Sequence, residues 1–92
     1  MQIIVHFEAQ VRRAAGTASI VLETAESPSA AEIVERIGRD AAEPLRRVLL
    51  DDAAMVRSTV MVFFDDEHVP LTSARRSGSA TVVTITSPIS GG

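Results

Sequence analysis

The sequence contains no cysteine, no lysine, no tryptophan and no tyrosine. Without cysteine there can be no disulfide, thiolate zinc site, cysteine nucleophile or iron–sulfur cluster. With three phenylalanines as the whole aromatic content and a net charge of −3, the chain lacks the basic, ring-rich character of a nucleic-acid binder, and none is expected as a partner. No apolar run approaches the ~20 residues of a membrane span. The start shows no charged-then-apolar leader: after Arg12-Arg13 the run Ser19 to Glu23 is too short and interrupted, so a cytoplasmic protein without membrane attachment is expected. What remains is 92 residues, 46% hydrophobic, with all nine basic side chains arginine, enough for one domain with a modest core.

Alternation and turn residues divide the chain. Ile3, Val5 and Phe7 mark one face of a first strand over residues 2–8. Because Met1 precedes it almost directly, this strand is expected inside the sheet. Ala9 to Ala15 suits one helical turn or a wide loop closed by Gly16, a residue that tolerates positive φ. Ala18 to Thr24 alternates again, with Ile20 and Leu22 inward, and completes a hairpin. Ser29 and Glu32 stand at capping-box spacing before Ala30, Ile33, Val34 and Ile37, which share one helical face. Gly38 and Asp40 read as stop signals for that helix. Glu43 to Leu50 suits a short second helix or 3₁₀ segment with Pro44 in its first turn. Thr59 to Phe64 is a strong strand, Asp65-Asp66-Glu67 turns it, and His68 to Leu71 returns briefly along an edge. After a polar loop from Thr72 to Ser79, Thr81 to Thr86 forms the last strand, with Val83 and Ile85 inward.

Hairpin, helix, strand, short strand and last strand fit an α+β fold. A mixed sheet wraps one main helix, with the first and last strands parallel at its centre. This is the β-grasp, or ubiquitin-like, arrangement. It assigns residues 1–87 to the domain and leaves 88–92 as a tail, Pro88-Ile89-Ser90-Gly91-Gly92. Two terminal glycines are slim and can thread a channel too narrow for a side chain. Five extended residues reach at most about 17 Å, enough to enter a neighbour's active site.

The body offers little chemistry of its own. His6 and His68 have neither the spacing nor the partners of a metal site, and three consecutive acids, Asp65 to Glu67, cannot all face one ion, so no metal is expected. The serines have no argued His and Asp partners. Three arginine pairs, Arg12-Arg13, Arg46-Arg47 and Arg75-Arg76, either are solvated or dock an acidic surface. Any chemistry must therefore use the chain's own terminal carboxylate.

Residues 7–16 (FEAQVRRAAG), 59–71 (TVMVFFDDEHVPL) and 83–92 (VTITSPISGG) together resemble the MoaD/ThiS sulfur carriers, most of all the small subunits of molybdopterin synthase. The family's Asp-Gly-Asp turn falls here on Ser79-Ala80-Thr81, its frequent Pro-Pro pair on Ser87-Pro88, and an apolar position just before that pair on Thr86. The resemblance implies that a partner adenylyltransferase, related to ubiquitin-activating enzymes, uses ATP and magnesium to adenylate Gly92. Sulfur then displaces AMP to give a thiocarboxylate. The carrier itself binds no cofactor and has no self-contained active site. It would act as the sulfur-donating subunit of a sulfurtransferase, with the molybdopterin synthase large subunit or another sulfur-accepting enzyme as its second partner. Gly91 would keep the channel clear, Pro88 would stiffen the exit, Ile89 and Ser90 would complete the tail, and Arg12 or Arg13 would dock beside it. Carriers serving cysteine, thiamine or a specialised metabolite share this chemistry. A ubiquitin-like modifier that joins Gly92 to lysines of other proteins, and a binding module with an inert tail, are the alternatives of a different class.

Overall fold

The computed structural model describes residues 1–78, 80 and 82–88. Eight elements follow in order: β1 (Gln2–Glu8), α1 (Ala9–Ala15), β2 (Ser19–Glu23), α2 (Ala30–Asp40), α3 (Leu45–Leu49), β3 (Met61–Phe64), β4 (Glu67–Val69) and β5 (Val82–Ser87). The strands form one sheet in the order β2-β1-β5-β3-β4. β1 and β5 run parallel at its centre, with Val5 opposite Val83 and Phe7 opposite Ile85, and the other neighbours are antiparallel. This is the β-grasp arrangement expected from the sequence.

Alternation decides which face is covered. Ile3, Val5 and Phe7 of β1, Val62 and Phe64 of β3, Val83 and Ile85 of β5 and Val69 of β4 are buried. They meet Ala30, Ile33, Val34 and Ile37 of α2, all buried and all at the helical spacing that makes one apolar stripe. The capping box forms as expected: Glu32 N donates to Ser29 Oγ at 3.3 Å, and Ser29 N donates to Glu32 Oε1 at 3.1 Å. Ser29's backbone N–H, and then its hydroxyl, hold the Glu32 carboxyl below its ordinary 4.5, helped by the charge of Arg76 and opposed by desolvation.

Several elements depart from the sequence-based expectation. α2 runs through Gly38 and ends at Asp40, so the glycine is no stop signal. Gly38 is buried, and a Cβ built there would lie 2.7 Å from Leu50 Cγ, which makes it a close-approach position for the segment leaving α3. Residues 9–15 form a full helix rather than a single turn; it starts directly after β1 because Ala9 takes a left-handed φ of 55°, and it stops at Gly16 with φ 74°. β3 begins at Met61, two residues later than expected, β4 ends before Pro70, which cannot donate to a ladder, and β5 extends to Ser87.

The loop before β5 is stitched to the start of α2. The Ser27 and Ser77 hydroxyls share a hydrogen bond at 3.1 Å, Ser77 N donates to Pro28 O at 2.8 Å, and Arg76 Nη1 donates to Ser27 O at 2.6 Å. Ser77 is consequently buried although it is a loop serine. At the other turn, Asp65 takes φ 55°, its N–H donates to Val82 O at 2.7 Å and its Oδ1 accepts from Val82 N at 3.2 Å. Both devices fix where β5 enters the sheet.

Candidate functional site: the root of the C-terminal tail

β5 is the element that leads into the last residues of the sequence. It is clamped by β1 on one side and β3 on the other: Thr86 sits opposite Glu8 and Met61, and Ser87 makes a further parallel bridge to Ala9. Ser87 is 3% exposed, whereas the next residue, Pro88, is exposed. Burial thus ends between these two residues. Ile89, Ser90, Gly91 and Gly92 lie outside the described residues, so the roles expected of them rest on the sequence.

A cleft of about 360 Å³ opens beside Ser87. Its walls are Gln10 of α1, Pro44, Arg47 and Val48 around α3, and Arg57 and Thr59 on the way into β3. Neither Arg12 nor Arg13 contributes to it. Both are exposed in the last turn of α1, and Arg12 lines a separate hollow with His6, Glu8, Ala18 and Ser19. α1 still reaches the root, but through Ala9 and Gln10.

Sequence reasoning missed Arg57, because it is a lone arginine and the search was for pairs. Of the nine arginines it alone is half-buried rather than exposed. Its N–H donates to Leu49 O at 2.9 Å, its C=O accepts from Val60 N at 3.1 Å, and its side-chain Nε donates to Arg47 O at 2.7 Å. Nearby Arg47 is already paired with Glu43.

The uncovered face of the sheet carries a row that crosses all five strands: Ser19, His6, Thr84, Phe63 and His68. The Phe63 and His68 rings meet at a centroid distance of 5.3 Å, so the exposed His68 has a ring partner on the edge strand's neighbour. Beside the row, Ile4 is 43% and Val21 63% exposed. Thr86 is half-buried here, between Glu8 and Met61, so this face is polar at the position nearest the tail. The acids of the β3–β4 turn diverge: Asp65 turns to Val82, and Glu67 pairs with Arg75 at 2.6 Å. Among the described residues no group of His, Asp and Glu is arranged to hold a metal ion.

The fold is that of a ubiquitin-like β-grasp protein whose last strand lies inside the sheet. Solved structures share this fold at full length. SAMP1 from Haloferax volcanii superposes with a TM-score of 0.70 at 17% identity, covering 100% of both chains. The Haloferax volcanii HVO 2177 protein gives 0.72 at 21% identity, over 100% of this chain and 87% of that one. A second structure of H. volcanii small archaeal modifier protein 1 gives 0.68 at 15% identity, over 96% and 98%. No family model and no curated protein matches the sequence.

Proposed function

We propose that this chain is a sulfur carrier whose Gly92 carboxylate is the reacting group. One observation supports the reading above the others: the body holds β5 on both sides up to Thr86 and bridges Ser87 to Ala9, and the sequence beyond Pro88 ends in two glycines. A rigid launching strand followed by a slim terminus suits delivery into another protein's active site. In the proposed cycle the carboxylate attacks the α-phosphorus of ATP, with magnesium held by a partner adenylyltransferase, and pyrophosphate leaves. A sulfur nucleophile then adds to the acyl-adenylate and expels AMP, leaving a thiocarboxylate. Carboxylate is a poor acyl donor and AMP a good leaving group, which is why activation comes first. The thiocarboxylate next transfers its sulfur to an acceptor, and an oxygen from water restores the carboxylate. The favoured setting is the small subunit of a molybdopterin synthase, where a large subunit would receive the tail. Carriers for cysteine, thiamine or a specialised metabolite follow the same chemistry.

A second reading is favoured by a specific observation: two of the similar structures are of a small archaeal modifier protein. The same activated Gly92 would then be attacked by a lysine amine of a target instead of by sulfur. The chain's own lack of lysine means that copies could not be linked to one another through lysine side chains.

Intact-mass analysis of the protein taken from its own cells separates these readings. Exchange of one oxygen for sulfur supports the carrier, and Gly92 joined to lysine-containing target peptides supports the modifier. A terminus that stays an unmodified carboxylate under every growth condition overturns both.

A further inference from the structure

We infer that Arg57 is a docking residue: its guanidinium fork, at the cleft beside Ser87, receives a carboxylate side chain from the adenylyltransferase that takes the tail. This rests on the reading above that another protein takes the tail, and it adds the chemistry of that contact. Three fixed points set the residue. The backbone is tied on one side to Leu49 and on the other to Val60, and Nε is spent on Arg47 O at 2.7 Å. The two Nη groups therefore extend from an immobilised plane. Among the described residues they form no ion pair, although Arg57 also borders a hollow with Glu43, Asp51 and Asp52: Glu43 is engaged by Arg47, and Asp51 Oδ1 accepts from the backbone N–H groups of Ala53 and Met55 at 2.8 and 3.0 Å.

A guanidinium with one edge already committed presents the other as a bidentate match for a carboxylate, and its ordering cost is largely met before a partner arrives. Half-burial strengthens such a contact relative to one in open water. The other arginines lack one or more of these features. Arg75 and Arg76 are paired with Glu67 and Glu32, and Arg12 and Arg13 stand outside the cleft. Ser87 lines the same cleft, so a protein that grips the emerging chain must approach it. Val48 and Pro44 form an apolar rim that would shield the pair from water.

The test measures binding without chemistry. A chain lacking Gly92, which cannot be adenylated at its native terminus, is titrated calorimetrically into the ubiquitin-activating-type adenylyltransferase of the same organism, with and without ATP and magnesium. Arg57→Lys, which keeps the charge and loses the fork, should weaken binding about tenfold, and Arg57→Ala about thirtyfold. Both should retain a cooperative melt, and Arg39→Ala, outside the cleft, should bind as the parent does. Arg57→Lys binding within twofold of the parent overturns the inference, as does a loss seen only with ATP present, which would make a nucleotide phosphate the ligand. Full-length chain assayed for ATP–pyrophosphate exchange separates the two levels. Arg57-dependent binding without exchange sinks the proposed activation and leaves the docking residue standing. Exchange with an unchanged KM for Arg57→Lys does the reverse. Absence of both binding and exchange overturns both.

Discussion

Replacing Gly38 by alanine should destabilise the protein, although the same change on an exposed helix is favourable. Gly38 lies inside α2, where alanine gains about 1 kcal/mol of helix propensity over glycine. The added Cβ, however, would stand 2.7 Å from Leu50 Cγ and 2.8 Å from Cδ1, well inside van der Waals contact. Leu50 cannot swing away cheaply. It is 3% exposed, its N–H donates to Arg46 O at 2.8 Å, and it bridges Val56. Overpacking a closed core costs about 1–3 kcal/mol, and a Cγ clash belongs at the upper end because the whole isobutyl group must turn. The net loss is about 1–2 kcal/mol, or about 5–15 °C in melting temperature for a domain this small. Far-UV circular dichroism under urea is the suitable assay, since the chain has no tryptophan or tyrosine to report by fluorescence. A double-mutant cycle identifies the cause. Leu50→Ala alone should cost about 2–5 kcal/mol. In that background Gly38→Ala should become stabilising, because its methyl enters vacated space and keeps the propensity gain. If Gly38→Ala raises stability with Leu50 intact, the assignment of this glycine to close packing is wrong.

The remaining predictions concern the cap, the strand exit and the tail. Ser29→Ala should cost about 1 kcal/mol by removing the helix cap, read from the urea midpoint. The Glu32 carboxyl lies below its ordinary 4.5, so the unfolded chain binds the proton more readily and folding gains stability as pH rises. That gain is complete above about pH 4.5 and disappears as pH falls through the lower folded value. The melting-temperature gap between the parent and Glu32→Ala should accordingly be wider at pH 7 than at pH 3, and a gap that widens in acid would contradict the sign. Ala9→Val should destabilise by about 1–3 kcal/mol, because a β-branched residue at φ 55° is strained; an unchanged urea midpoint would count against that conformation. Deleting Gly92 should leave the melting temperature unchanged while abolishing any sulfur-for-oxygen mass exchange at the native terminus.

The parts legible in the sequence were those set by local periodicity. α2 announced itself through Ser29, Glu32 and a stripe of four apolar residues, and the central parallel pair followed from two alternating segments with no short connection between them. Gly38 was misread because glycine near a helix end ordinarily marks a stop, whereas here its reason is the close approach of Leu50, brought in by tertiary packing. The length of α1 was hidden by Ala9, whose left-handed backbone lets a helix begin where the sequence suggests a loop. Arg57 carried no signal in its neighbours; its importance comes from a bond to the carbonyl of Arg47, which a scan for paired charges does not see. The terminal glycines were conspicuous as residues, while the cleft beside Ser87 was not, because its walls come from four separate stretches of chain.

The placement of β5 between β1 and β3 has a consequence for how the molecule is made. Translation delivers β1 early and β5 late, so a nascent chain has one bare edge on β1 and an open gap where Val83 and Ile85 belong. Such long-range closure makes the finishing step slow and leaves partly made chains sticky. Any product broken off upstream of Ser87 lacks its keystone and is exposed to proteolysis. The architecture thereby screens for completeness: the molecules that survive are those whose last strand was finished and seated.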